Sequence, residues 1–125
     1  MERDKVVVRR NLMELCGGWL CEYPNAHEDM VRIGDRKSGE FAEICWWRDW
    51  NPVEKPEQLK ICYLALEKKM SEYESAHQVA WAFCRIFEER TTHVCGMYDM
   101  VVAWVKYPEM MADAILEVAG TLDLI

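Results

Sequence analysis

The spacing of apolar residues changes along the chain, and each change marks an element. Over residues 2–16, Val8, Leu12, Leu15 and Cys16 fall at i, i+4, i+7 and i+8 among charged residues, a single helical stripe. Gly17-Gly18 ends it, because glycine accepts the left-handed conformation of a helix exit. Trp19-Leu20-Cys21 opens a short segment that Pro24-Asn25 interrupts, and His27, Glu28 and Asp29 continue as a polar stretch. Met30 to Ile33 and Phe41 to Trp47 then read as two strands of a hairpin around Gly34-Asp35-Arg36-Lys37-Ser38-Gly39. In the second strand both faces are largely apolar, which predicts an inner strand or one covered twice.

Asn51-Pro52 breaks that strand, and Pro56 stands where a first helical position belongs. Leu59, Cys62, Tyr63, Leu66, Met70 and Tyr73 keep the helical period over 56–73, and Ile61, Leu64 and Ala65 widen the stripe. A helix apolar on most sides is packed on most sides, so this one is predicted to be central and laid against the sheet. Residues 77–88 fit two patterns. Ser75 with Gln78 makes a capping box, and Val79, Ala82, Phe83, Ile86 and Phe87 suit a helix. The same residues suit a doubly buried strand, and periodicity leaves both open. Thr91 to Cys95 and Met100 to Tyr107 read as a second hairpin around Gly96-Met97-Tyr98-Asp99. Pro108 opens a last helix with the stripe Met111, Ala114, Ile115, Val118 and Leu122, and Glu109 complements its dipole. No linker or repeat is visible. The sum is an α+β single domain over residues 1–125, a small sandwich of antiparallel strands packed with about three helices, or a mostly α domain if 77–107 is helical.

Composition narrows the class. With 51% apolar and 30% charged residues the chain describes a globular protein, and no apolar run approaches the ~18 residues of a membrane span. Val6-Val7-Val8 is followed at once by Arg9-Arg10, which is no secretory leader, so a cytoplasmic location is expected. In that compartment Cys16, Cys21, Cys45, Cys62, Cys84 and Cys95 are expected as free thiols. The net charge of −7 is uneven: residues 91–125 set Lys106 alone against Asp99, Glu109, Asp113, Glu117 and Asp123. The basic pairs Arg9-Arg10, Arg36-Lys37 and Lys68-Lys69 are each diluted by acids, which disfavours direct nucleic-acid binding.

Chemical motifs are sparse. His93 and Cys95 with Cys84, or Cys21 with His27, are the candidate metal ligands, but neither set has the paired spacing of a zinc site. Cys95 beside a turn glycine could be a nucleophile for a histidine base, yet no orienter or oxyanion donor accompanies it. Neither phosphate-cradling glycine loop occurs. The expectation is a protein that is not an enzyme, with no metal and no cofactor.

The stretch Trp46-Trp47-Arg48-Asp49-Trp50 is the sharpest functional candidate, since it holds three of the chain's six tryptophans. Tryptophan and arginine are enriched at binding hot spots and also form stacking platforms. On a strand, Trp46 and Trp47 would face opposite sides, so Trp46, Trp47, Arg48 and Trp50 are the candidate partner- or ligand-binding residues. The competing reading is that the tryptophans are packed for stability and Arg48 pairs with Asp49 or solvent.

Three landmarks carry a family resemblance: Gly18-Trp19 after the first helix, Trp50-Asn51-Pro52 before the central one, and Tyr107-Pro108 opening a closing segment rich in small residues. With these the chain resembles the phage ABA-sandwich domain family, although residues 77–107 depart from that pattern. The resemblance implies a phage or prophage origin and an α+β sandwich; it carries no functional residue. The leading expectation is therefore a viral interaction protein that binds a host protein stoichiometrically in the host cytoplasm, as a counter-defence inhibitor. Its acidic surface would suit a basic groove. The alternative is a small-ligand protein that binds or sequesters a nucleotide-like molecule.

Overall fold

The structure is a computed structural model and describes residues 4–121. Residues 2 and 3 of the first predicted helix and Leu122 of the last stripe lie outside the described residues. Helix α1 (Lys5–Leu15) starts where Asp4 accepts the Val6 N–H at 2.8 Å. It buries Val8, Leu12, Met13 and Leu15. Gly17, at φ 73°, turns the chain out of the helix as expected.

Three strands follow: β1 (Gly18–Tyr23), β2 (Glu28–Asp35) and β3 (Glu40–Trp46), antiparallel in the order β1-β2-β3. The predicted hairpin is β2–β3, and the segment opened by Trp19-Leu20-Cys21 is its third strand. Gly34 must be glycine: its φ is 153°, and a Cβ there would stand 2.4 Å from the Glu40 carbonyl oxygen. The sheet is not inserted between layers. Among the described residues β3 pairs only with β2, its Phe41 is 40% exposed, and Val31 is the one strand residue in the buried core. The inner, doubly covered strand expected at 41–47 is thus an edge strand, apolar because its outer face carries an aromatic cluster.

The core is built by helices. α2 (Pro56–Lys69) begins at Pro56 and buries one face, through Gln58, Leu59, Cys62 and Leu66. It packs against α1, α3 (Glu72–Thr91) and α6 (Pro108–Thr121), so it is not the central helix laid on the sheet. The central position among the helices belongs to α6, which buries Met111 to Leu116 with Val118 and Ala119 and touches α1, α2, α3 and α5 (Ala103–Lys106). Its small residues Ala112, Ala114 and Ala119 allow close approach from several sides.

Residues 77–88 are helical, inside α3, and the buried set Val79, Ala82, Phe83, Ile86 and Phe87 is the one the helical period selects. The cap lies one turn earlier than expected. Ser71 accepts the Glu74 N–H at 3.1 Å, while Ser75 is buried with its hydroxyl donating to the Glu72 carbonyl. The second hairpin does not exist. Thr92, left-handed at φ 61°, ends α3, and two short helices occupy the segment instead: α4 (Met97–Val101) and α5. Asp99 accepts the Gly96 N–H at 3.0 Å and starts α4. The domain is α+β, and the additional helices α3, α4 and α5 make it richer in helix than about three helices would allow. Arg85 pairs with Glu117 and Arg90 with Asp113, tying α3 to α6 along its length.

Candidate interaction surface

The tryptophan stretch is dispersed by a 3₁₀ turn at Trp47–Asp49 that follows β3 directly. Trp46, the last strand residue, is half-buried on the outer sheet face, edge-on to Tyr23 at 5.7 Å. Trp47 leaves the sheet and lies beneath the Arg9 guanidinium, 4.3 Å from its centre to the ring. Trp50 is 0% exposed, with its indole N–H donating to the Arg9 carbonyl at 2.9 Å. Arg48 is exposed and pairs with Glu28 at 3.2 Å, with Asp49 further off at 4.0 Å. So Trp46, Trp47, Arg48 and Trp50 share no single face. Trp50 is a core residue, and the expected strand alternation of Trp46 and Trp47 fails because the strand stops between them.

What holds this turn is long-range. Arg9 donates through Nε to the Trp50 carbonyl and through Nη2 to the Trp47 carbonyl. Gln58, buried at the start of α2, donates to the Asp49 carbonyl at 3.1 Å and accepts the Asn51 N–H at 2.6 Å. Lys55 adds a second donor to the Asp49 carbonyl, at 2.8 Å. Backbone groups released from the ladder at Trp46 are thereby paired rather than left open.

A different segment presents apolar surface. Helices α4 and α5 carry two apolar stripes. The inner one seats Ala103 in the core, sets Trp104 edge-on to Tyr63 at 5.4 Å, and is followed by Tyr107, which packs on Phe87 at 5.3 Å. The outer one faces solvent: Met97 is 83%, Val101 73% and Val105 81% exposed, and Val94 and Tyr98 stand beside them. These positions follow the i, i+4, i+8 spacing of a helix face. On α3, Tyr73, His77 and Trp81 repeat the spacing, with Tyr73 and His77 stacked at 5.8 Å and Trp81 70% exposed. Beneath α4–α5 an apolar cleft of about 230 Å³ opens between α2 and α3, lined in part by Tyr63, Ala80, Phe83, Met100 and Trp104. The rim is acidic. Glu88 and Asp99 hold the turn before α4, Glu72 and Glu74 start α3, and Lys106 is folded over Tyr98 and Tyr107.

Sequence reasoning misses this surface because the pattern over 91–107 reads as a pair of strands. The signal is present nonetheless: Val94, Met97, Val101 and Val105 keep a helical spacing on one side while Met100, Ala103, Trp104 and Tyr107 keep it on the other.

The outer face of the sheet forms a second concavity, of about 540 Å³, where Trp19 and Phe41 meet edge-on at 5.8 Å. The Arg32 guanidinium lies 4.3 Å from the Phe41 ring centre and Arg36 lies 5.8 Å from that of Trp19. Arg32 also donates to the Tyr23 hydroxyl at 2.7 Å, and Glu43 accepts from that hydroxyl. The metal candidates are not assembled. His27 caps an exposed turn, His93 is exposed, and the Cys95 thiol meets Cys84. No group of three or more His, Cys, Asp or Glu among the described residues is placed to hold a metal ion. No helix among the described residues is long and apolar enough to cross a membrane. No protein-family model, no curated protein and no solved structure matches the chain.

Proposed function

We propose that this protein works by binding another protein stoichiometrically, without catalysis, through the outward face of α3, α4 and α5. One observation carries the reading: a pair of helices apolar on both sides, with only one side packed. A helix apolar all round is a buried helix, so the outer stripe has the character of a core face waiting for its other half. Fully burying Met97, Val101 and Val105 would contribute on the order of 1.5–3 kcal/mol each, and an exposed tryptophan, here Trp81 on α3, is a usual anchor of such a contact. The net charge of −7 favours a partner with a basic border around an apolar centre. The phage origin that the three landmarks imply makes a host protein the proposed partner, and the small size, acidic surface and lack of a catalytic motif in the sequence favour a counter-defence inhibitor as the biological role.

The test is capture from bacterial host lysate by the wild-type chain and by Val101→Asp, with folding of both checked by thermal melting. The expected outcome is a stoichiometric partner, weakened by salt as charge-steered binding should be, that Val101→Asp loses without a lower melting temperature. Equal capture by both proteins would overturn the reading. So would concentration-dependent dimerisation through the same stripe, which would make a second copy its occupant.

A small-ligand reading is favoured by the Trp19–Arg32–Arg36–Phe41 cleft, where two guanidiniums lie against aromatic rings. Such a lining suits a flat anion of nucleotide type. Tryptophan fluorescence titrated with a mononucleotide separates the two: saturable quenching that Trp19→Leu abolishes supports the ligand.

A further inference from the structure

We infer that Cys84 and Cys95 are a reversible dithiol–disulfide pair, oxidised by small disulfides of the glutathione class. Their sulfurs stand 2.9 Å apart, so closure to the ~2.05 Å of a disulfide asks for less than one ångström of approach. Cys84 is on α3 and Cys95 on the turn into α4, and both are half-buried and within reach of a small reagent. The turn is held in place for this contact: the Cys95 N–H donates to the Glu88 carboxylate at 3.2 Å and the Gly96 N–H to that of Asp99. The remaining cysteines lie elsewhere. Cys62 is fully buried with its thiol on the Leu12 carbonyl and beside the Cys16 thiol, Cys45 accepts from Gln58, and Cys21 donates to the neighbouring Glu22 carbonyl.

The chemistry balances as thiol–disulfide exchange. Burial, the Cys84 thiol and the nearby Asp99 and Glu88 push the Cys95 thiol up to about 12, so it keeps its proton at neutral pH. One of the two sulfurs loses its proton and displaces one thiolate from the small disulfide, leaving a mixed disulfide on the protein. The other sulfur then attacks the protein sulfur of that mixed disulfide, gives up its proton and expels the second thiolate. Two protein S–H bonds are lost and one S–S bond forms. The oxidant is reduced to two thiols, which carry the two protons. The pair rests on this geometry alone and is independent of what binds the face of α3–α5, although the link would pin the turn from which that face begins.

The experiment is incubation of the folded full chain in oxidised and reduced glutathione mixtures, an acid quench, alkylation under denaturing conditions, and tryptic mapping. Fully reduced protein should take six labels, one for each free cysteine. Oxidised protein should lose two of these, with the peptide holding Cys84 joined to the one holding Cys95. Cys84→Ser and Cys95→Ser should each abolish the link. Retention of all labels at every ratio would overturn the assignment. So would a link between Cys16 and Cys62, or one that forms only after the chain is unfolded in urea. The wild-type map decides by itself, so the pairing stays testable even where a serine variant fails to fold.

Discussion

The Trp46–Trp50 stretch and the Met97–Val105 stretch are both short and rich in large apolar side chains, and the protein treats them in opposite ways. The first is turned inward. Its backbone leaves the sheet at Trp46, and the carbonyls so released are met by Arg9, Lys55 and Gln58 from two helices. Once those partners fix the turn, Trp50 has nowhere to go but the core. The second stretch is mostly helical, and its backbone bonds are local: the Met100 N–H donates to the Gly96 carbonyl and the Val102 N–H to that of Tyr98. Only its side chains seek partners, and the domain supplies them on one side. Exposure is thus decided less by how apolar a segment is than by whether its backbone needs long-range help.

Substitutions in three places test that contrast, in falling order of effect. Trp50→Ala removes a fully buried indole and its bond to the Arg9 carbonyl, with an expected loss of about 3–5 kcal/mol, read from urea unfolding. A loss below about 1 kcal/mol would mean the turn does not anchor the core. Arg9→Ala strips the donors from two carbonyls and the cation from the face of Trp47, and should cost about 2 kcal/mol. Arg9→Lys should recover little of it, since a single ammonium cannot reproduce the planar fork. Full rescue by lysine would show that charge, and not the two-carbonyl geometry, holds the turn. The double change Met97→Ser with Val101→Ser should move stability by no more than about 0.5 kcal/mol while weakening partner capture. A melting temperature that falls as far as in Arg9→Ala would place the stripe among the structural residues and remove the contrast.

Where the sequence is punctuated, the elements were legible in it. Gly17, Pro56 and Pro108 mark a helix end and two helix starts, and the Gly34–Gly39 loop marks a hairpin. Each signal is local, because glycine and proline restrict or free the backbone at their own positions. The run Met100-Val101-Val102-Ala103-Trp104-Val105 misleads because it is apolar at every step and has no single period. A strand covered on both faces and a helix apolar on both sides produce the same string. The central role of α6 is hidden in a similar way. Alanines give a weak hydrophobic signal, yet a helix at the middle of a bundle needs small residues so that several neighbours can approach. At the tryptophan stretch the missing information is Arg9, separated in sequence by a whole sheet, which no local window contains.

The position of α6 in chain order has a consequence for the protein's birth. Every helix it packs against is made before it, and α1, ending at Leu15, waits until Pro108 and beyond have been added. At ~5–20 residues per second of synthesis, that is on the order of 5–20 seconds. Through that interval the apolar side of the first helix has no finished core to enter, which makes the nascent chain a natural client for a ribosome-associated chaperone.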